Sequence, residues 1–234
     1  MADLRFDDFD VLTFDCYGTL IDWEAGILAA LRPPLEAHGL AGTDEQLLEA
    51  FARHEAELEG GPYKAYRDVL GDVLTAMLRH QGSEPTADEV AAFGGSVAEW
   101  PAFPDSTAAL ARLHERYRLG VITNCDDDLF AASEASLGTK FDWVVTAQQA
   151  RRYKPNPRGF ELMFERVGLP PARILHVAQS LFHDHVPAKR LGLSTVWVDR
   201  RGGRPGFGAT PPAEAAPDLT VPNMATLAAL AVAG

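Results

Sequence analysis

One short stretch near the N-terminus, residues 11–20, constrains the fold more than any other part of the chain. It reads Val11-Leu12-Thr13-Phe14-Asp15-Cys16-Tyr17-Gly18-Thr19-Leu20. The first four residues form an apolar run rich in strand formers, and a Gly-Thr turn follows the acid. An acid at the C-terminal end of a buried strand lies where open α/β sheets bind ligands. The stretch therefore predicts a buried strand that ends in a functional carboxylate, Asp15, although an ordinary capping acid is the alternative.

Residues 21–98 show helical patterns and no strand pattern. Four helices are predicted, over residues 21–37, 43–58, 66–78 and 86–95. The adjacent prolines Pro33 and Pro34 are expected to interrupt the first helix, and Thr43 is expected to cap the second. We therefore predict a helical domain of residues 21–98, inserted into a core of residues 1–20 and 99–234.

Strands and helices alternate in the rest of the chain. Strand patterns occur at residues 119–123, 143–145, 174–178 and 195–198, and helical patterns at residues 105–113, 157–167, 184–191 and 224–230. Asp105 is expected to cap the first of these helices. Such alternation is typical of a parallel sheet with crossover helices. The predicted fold class is α/β, a doubly wound, Rossmann-like parallel-sheet core with an inserted helical cap.

The charge of the chain limits its partners. A net charge of −12 argues against non-specific binding of nucleic acid or of an anionic membrane, but not against a small anionic substrate. No apolar run reaches the about 18 residues of a membrane span, and the acidic start lacks a signal-peptide pattern. A cytoplasmic location is therefore expected. The two cysteines, Cys16 and Cys125, are expected to be small buried side chains rather than a disulfide.

Four segments place side chains that could take part in catalysis or ligand binding at the carboxyl edge of the predicted sheet. They supply Asp15, the pair Thr123 and Asn124, Lys154, and Asp184. Each has an ordinary explanation when taken alone: a strand-to-loop turn, a surface lysine, or an acid that caps a helix. Because strand C-termini meet at one edge of a doubly wound sheet, their joint occurrence predicts one site.

The order of these motifs and the position of the helical insertion resemble the haloacid dehalogenase superfamily, whose first acid is a covalent nucleophile. Phosphatases of that superfamily carry a second acid two residues later, and this chain has Tyr17 there. A halide leaves carbon as a stable anion and needs hydrogen-bond donors rather than a proton. The chain therefore resembles the L-2-haloacid dehalogenase branch. Gln179 stands where the phosphatases have an acid that helps hold Mg²⁺, so the resemblance implies an enzyme without metal or cofactor.

The resemblance implies that a short 2-haloalkanoic acid is hydrolysed to a 2-hydroxy acid through an ester on Asp15. In that scheme Lys154 pairs with Asp15, and Asp184 orients Lys154 or the water. Thr19 and Thr123 donate hydrogen bonds. The other expected substrate-binding residues are Tyr17, Asn124, Arg53, Gln179, Ser180, Phe182 and His183.

By the same resemblance, an arginine of the second helix clamps the halide or the substrate carboxylate. Arg53 is the candidate and Arg67 the runner-up. The alternative for Arg53 is a solvated helix face, because arginine side chains are mostly exposed.

Two departures from the branch indicate a divergent subgroup. Phe160 and Ala178 stand where the branch tends to have a tyrosine and a serine. Three other functions therefore stay open: a Mg²⁺-dependent phosphatase, a hydrolase of non-halogenated compounds that uses the same ester, and a non-enzymatic member. The expected partner is a small halogenated carboxylic acid. The apolar face of residues 69–77 suggests a homodimer, unless that face is cap interior.

Overall fold

A parallel β-sheet organises the chain, which we describe from a computed structural model over residues 4–204 and 206–233. In these residues the sheet has six strands in the order β3-β2-β1-β4-β5-β6, and every neighbouring pair is parallel. The strands are β1 (Val11–Phe14), β2 (Arg118–Thr123), β3 (Trp143–Thr146), β4 (Ile174–Ala178), β5 (Ser194–Val198) and β6 (Leu219–Val221). The predicted α/β fold class is confirmed.

Helices connect the strands. Those between β1 and β2, which we call the cap, are α1 (Trp23–Ala37), α2 (Asp44–Glu59), α3 (Tyr66–His80) and α4 (Ala87–Gly95). The later helices are α5 (Ser106–His114), α6 (Asp127–Leu137), α7 (Ala147–Ala150), α8 (Arg158–Val167), α9 (Val186–Arg190) and α10 (Met224–Val232). A π-helical turn, Leu181–His185, joins β4 to α9. The division into an inserted domain of residues 21–98 and a core of residues 1–20 and 99–234 stays a prediction.

Helix α1 continues through Pro33 and Pro34, so the interruption expected there was wrong. Each proline removes the N–H group that would bond the carbonyl four residues earlier, here on Ala29 and Ala30. Both alanines are at least partly exposed, so water can satisfy their carbonyl oxygens. Pro34 and Leu35 are buried, and their burial favours a continued helix.

The first strand lies at the centre of the sheet. Its four residues are buried, as expected for a parallel strand covered on both faces. Phe14 lies opposite Val121 of β2 and Val177 of β4. Because the three strands are parallel and in register, the residues that follow them meet at one edge of the sheet. This edge carries Asp15.

Apolar packing joins the cap to the sheet. A cluster of buried side chains extends from β1 to Phe51 and Phe93 of the cap. Gly26 of α1 lets the indole ring of Trp100 come close, since a Cβ at this position would lie 2.3 Å from Cγ of Trp100. The cap is therefore seated on the core by a close contact that a larger residue would disturb.

A carboxylate of the core also fixes the start of a cap helix. Helix α3 follows Ala65, whose side chain makes no capping hydrogen bond. Asp126, just beyond β2, takes that role: Oδ1 accepts from the Tyr66 N–H at 2.9 Å and Oδ2 from the Arg67 N–H at 3.1 Å. These bonds satisfy donors that a helix leaves free at its N-terminus. They also hold Tyr66 close to the end of β2.

Several features of the core differ from the expectations or were not predicted. Helices α6 and α7 and strand β6 were not predicted. Asp105 makes no capping bond to α5; it accepts instead from the Arg200 guanidinium at 2.8 Å and from the Ala225 N–H at 3.1 Å.

The apolar face of α3 is cap interior. Its residues are buried within this chain: Val69, Leu70, Val73, Leu74 and Met77. That face therefore gives no support to a homodimer, which stays a prediction. Within the described ranges, no helix combines the length and the apolar character that crossing a membrane requires.

Candidate active site

The carboxylate of Asp15 is held from both sides. Its Oδ2 accepts a hydrogen bond from Thr19 Oγ1 at 2.6 Å, and its Oδ1 accepts one from Lys154 Nζ at 2.8 Å. The turn that brings Thr19 within hydrogen-bond distance of Asp15 contains Gly18 at a φ of +91°, a conformation that favours glycine. Burial raises the pKa of Asp15, and the Lys154 ammonium and the Thr19 hydroxyl oppose this effect.

Lys154 is a buried ammonium group with three acceptors. Its Nζ donates to Asp15, to Asp184 Oδ1 at 2.7 Å and to the Ile122 carbonyl at 3.0 Å. Burial alone lowers the pKa of Lys154, but the two carboxylates raise it above its ordinary value. The lysine is therefore charged at neutral pH and serves both acids at once.

Asp184, in the π-helical turn, is the second acid at this lysine. Because a carboxylate only accepts, the His176 Nε2–H donates to Asp184 Oδ1 at 3.1 Å. On the other side of the ring, His176 Nδ1 is hydrogen-bonded with Thr13 Oγ1 at 3.0 Å. Burial raises the pKa of Asp184, but Lys154 and His176 together hold it below its usual range. Its other oxygen, Oδ2, is buried and has no hydrogen-bond partner among the described residues.

Thr19 and Asn124 each accept a hydrogen bond from the backbone N–H of another residue at the site. Thr19 Oγ1 also accepts from the Gln179 N–H at 2.9 Å. Asn124 Oδ1 accepts from the Lys154 N–H at 2.7 Å. Thr123 is buried, but its hydroxyl has no hydrogen-bond partner in the ranges that the structure describes.

Tyr17 lines the cavity over Asp15, but its hydroxyl is bonded elsewhere. It lies 3.0 Å from Ser133 Oγ, and the ring meets Trp100 edge to face. Burial raises the pKa of Tyr17 well above its ordinary value. A neutral phenol with this partner is a poor proton donor for a leaving group on Asp15.

The cap contributes two buried acids that the sequence reasoning missed. Glu55 accepts from the Tyr66 hydroxyl at 2.6 Å, and burial raises the pKa of Glu55 to about 8. Glu59 accepts from the Asn124 side-chain amide at 3.1 and 3.3 Å, and burial also raises its pKa well above the ordinary value. A signal existed: Glu55 and Glu59 follow Leu48, Phe51 and Ala52 at helical spacing, on the face that turns inward.

The residues that line the cavity come from both the core and the cap. They are Asp15, Tyr17, Trp23, Glu55, Glu59, Tyr66, Asn124, Lys154, Ser180, His183 and Asp184. The cavity encloses about 30 Å³, enough for a water molecule but not for a three-carbon acid. A larger outer cleft shares Glu59, Lys154 and His183 with it.

Ser180 and His183 are the other predicted residues that line this cavity. The His183 Nε2 lies 3.8 Å from Glu59 Oε2, and its Nδ1 lies 3.2 Å from Ser180 Oγ. Burial lowers the pKa of His183 to about 4. The imidazole is therefore neutral at neutral pH.

The structure does not bring Arg53, Gln179 or Phe182 to the cavity. Arg53 is on α2 as expected, but its side chain is exposed and lines a separate groove of the cap. The Gln179 side chain accepts from Thr210 and lines a different pocket, while Phe182 lines the outer cleft. The structure gives no support to the expected clamp by Arg53, which stays a prediction, because Arg53 lies on α2 away from the face that carries the buried acids. The runner-up, Arg67, is half exposed and pairs with Asp128.

Within the described residues, no group of three or more His, Cys, Asp or Glu side chains has an arrangement that could hold a metal ion. The lysine between Asp15 and Asp184 explains part of this. Its ammonium group stands between the two carboxylates that face each other at the strand ends. No other prosthetic group is implied by the residues around the cavity.

The family of the chain follows from comparison with known proteins. The model of the haloacid dehalogenase-like hydrolase family matches residues 9–182. The chain therefore belongs to the haloacid dehalogenase-like hydrolases, as its motifs predicted.

Individual relatives of the chain differ in the activities that their names give. The chain is 25% identical over 214 residues to (S)-2-haloacid dehalogenase 4A of Burkholderia cepacia, covering 88% of this chain and 89% of that protein. The structure of L-2-haloacid dehalogenase from Xanthobacter autotrophicus superposes with a TM-score of 0.78 at 25% identity, over 95% of this chain and 98% of that one. Validoxylamine A 7'-phosphate phosphatase of Streptomyces hygroscopicus subsp. limoneus is 27% identical, over 80% of this chain and 84% of that protein. The relatives thus include dehalogenases and a phosphatase.

Proposed function

We propose that this protein hydrolyses the carbon–halogen bond of a small 2-halogenated acid, or of a derivative of one, through an ester on Asp15. One observation carries this proposal. The Asp15 carboxylate is buried, is held by Lys154 and Thr19 on separate oxygens, and belongs to a residue that lines a small cavity. At the position where a phosphatase carries its proton donor, the chain has Tyr17.

In the first step, an oxygen of Asp15 attacks the carbon that bears the halogen. A carbon–oxygen bond forms, the carbon–halogen bond breaks, and its electron pair leaves on the halide. The bonds from Lys154 and Thr19 keep the carboxylate ionised and aimed during this attack. Since a halide needs no proton, a neutral tyrosine at position 17 is compatible with the step.

In the second step, water attacks the carboxyl carbon of the Asp15 ester. The bond between that carbon and the product oxygen breaks, the product leaves as an alcohol with one proton of the water, and the carboxylate is restored. The other proton of the water is released to the solvent. Asp184 accepts a hydrogen bond from Lys154 through Oδ1, while its Oδ2 has no hydrogen-bond partner among the described residues. This unpaired acceptor supports a role for Asp184 in orienting the water.

The phosphatase reaction is the second candidate, because one relative has that activity in its name. A phosphatase of this superfamily would use an acid at position 17 to protonate the leaving alkoxide and a second acid near position 179 to hold Mg²⁺. This chain has Tyr17 and Gln179. Both differences favour displacement of a halide without a resident metal, and we propose no metal or cofactor.

The test is halide release from 2-chloropropionate and from its amide, with and without EDTA. We expect release that EDTA leaves unchanged and that Asp15→Asn lowers by at least about a thousandfold. Asp72→Asn removes a half-exposed acid of the cap and is the matched control. Hydrolysis of p-nitrophenyl phosphate that requires Mg²⁺, without any halide release, would contradict the proposal and support the phosphatase.

A further inference from the structure

The cavity over Asp15 is rich in carboxyl groups and poor in cations. Four acids line it: Asp15, Glu55, Glu59 and Asp184. Among the lining residues within the described ranges, Lys154 is the only lysine or arginine, and Asp15 and Asp184 already share it. No charged group of the cavity therefore remains to pair with the carboxylate of a haloacid.

The orientation of Asn124 defines Glu59 as an acceptor. The amide oxygen of Asn124 is taken by the Lys154 N–H at 2.7 Å. Its nitrogen must then face the other way, where it donates to both oxygens of Glu59 at 3.1 and 3.3 Å. The core thus holds the carboxyl group of Glu59 in place at the mouth of the cavity. Tyr66 holds Glu55 in the same manner, through its hydroxyl at 2.6 Å.

A third acceptor belongs to the core. Asp184 lines the same cavity, and its Oδ2 is buried and has no hydrogen-bond partner in the described residues. Buried acceptors without donors are costly. The N–H donors of a guest molecule could add hydrogen bonds to the carboxyl groups that line the cavity, whereas a carboxylate would bring only acceptors.

Two arginines of the outer cleft do not change the charge pattern of this cavity. Arg151 and Arg152 line the outer cleft but not the cavity itself. The Arg151 guanidinium stacks on the ring of Tyr63 at 4.4 Å, and Arg152 donates to a backbone carbonyl. They can attract an anion to the entrance, whereas the residues that line the cavity itself include Glu55 and Glu59.

We propose that Glu55 and Glu59 select a substrate whose polar end is a nitrogen donor, a primary amide or an ammonium group, in place of a carboxylate. This inference rests on the proposed function of Asp15. Burial raises the pKa of both glutamates, and an ammonium group beside them would supply a counter-ion, whereas a substrate carboxylate would add a further buried acid without one. An N–H group in the same place donates to the acids, so the substrate class is a small halogenated amide or amine.

The test uses two substrates with the same carbon skeleton and the same leaving group. Halide release from 2-chloropropionamide and 2-chloropropionate is measured as kcat/KM. To correct for the intrinsic reactivity of each compound toward a carboxylate, its kcat/KM is divided by the rate constant of its reaction with acetate in solution. We expect the enzyme to prefer the amide by at least about tenfold, about 1.4 kcal/mol. A preference for the carboxylate would overturn the inference.

Substitution of the two acids tests whether they cause this preference. Glu55→Gln and Glu59→Gln remove one carboxyl group each and replace it with an N–H donor. Each should lower the ratio of amide to carboxylate activity by at least about tenfold. Glu57→Gln is the matched control, because Glu57 lies on the exposed face of the same helix, and it should leave the ratio unchanged. Equal ratios in all four proteins would overturn the inference, even if one variant is unstable.

A binding measurement separates this inference from the proposed function. Saturation-transfer NMR on the Asp15→Asn protein reports binding of propionamide, propylammonium and propionate without any reaction. Binding of either nitrogen compound but not of propionate supports the inference, and the two nitrogen compounds distinguish amide from ammonium. Tighter binding of propionate overturns it. If the wild type releases halide from neither substrate, the proposed function fails, and this binding result alone decides the inference.

Discussion

Replacing Lys154 with methionine should destabilise the protein strongly. The substitution keeps the length of the side chain but removes the ammonium group that Asp15, Asp184 and the Ile122 carbonyl share. Breaking a buried ion pair by removing one partner costs about 3–5 kcal/mol, because the other charge stays buried. For a chain of this size, the loss corresponds to a fall in melting temperature of about 6–20 °C.

The destabilisation should depend on pH with a definite sign. In the wild type the folded-state pKa of Asp184 is held below its ordinary value, so this group stabilises the fold above pH about 4. In Lys154→Met, burial without a counter-ion raises the folded-state pKa values of both acids. Their contribution then becomes unfavourable as the pH rises above about 4. The difference in stability between the two proteins should therefore widen from pH 5 to pH 8.

Urea unfolding of both proteins at these two pH values measures the effect, together with halide release. Lys140→Met is the matched control, since its side chain is 87% exposed, and surface ion pairs contribute little. A loss below about 1 kcal/mol, or a loss that is equal at pH 5 and pH 8, would refute the view that Lys154 is the counter-ion of two buried acids.

Three further substitutions test separate parts of the structure. Arg53→Ala should leave halide release unchanged within about twofold, because the side chain is exposed; a tenfold or larger loss would restore it to the site. Asp126→Ala should lower the unfolding free energy by about 1–2 kcal/mol, since two backbone N–H groups at the start of α3 lose their acceptor; equal urea midpoints would contradict this. Gly26→Ala should cost about 1–3 kcal/mol, because its Cβ would lie 2.3 Å from the Trp100 ring; an unchanged melting curve would count against that contact.

The sheet was predictable because its strands are buried and short. Strands β1, β2 and β4 are largely apolar and almost wholly buried, and polar residues or turns follow them, as is typical of parallel strands covered on both faces. Strand β6 has only three residues, Leu219–Val221, too few to give a pattern. The continuation of α1 through Pro33 and Pro34 was not predictable, because tertiary burial of Pro34 outweighs the local cost of the missing N–H groups.

The site was predictable where it depends on the ends of strands. Asp15, Thr19, Lys154 and Asp184 meet because the parallel sheet brings its carboxyl ends to one edge. The cap follows no such rule, because the face that a helix turns toward the sheet is decided by packing. Charged residues are seldom buried, so the sequence of α2 predicts acids at the surface. The arginine at the substrate was expected from the resemblance to the dehalogenase branch. In the structure the side chains of Glu55 and Glu59 are buried and Arg53 is exposed.

The central claim is that Asp15 forms a covalent ester with the substrate carbon, and the fate of one oxygen atom tests it directly. A single turnover is run with enzyme in excess over a 2-chloro substrate in water labelled with ¹⁸O. The account predicts an unlabelled alcohol product and one ¹⁸O atom in the peptide that contains Asp15, both measured by mass spectrometry. Labelled product from an unlabelled enzyme would contradict it, since water would then have attacked the substrate carbon itself.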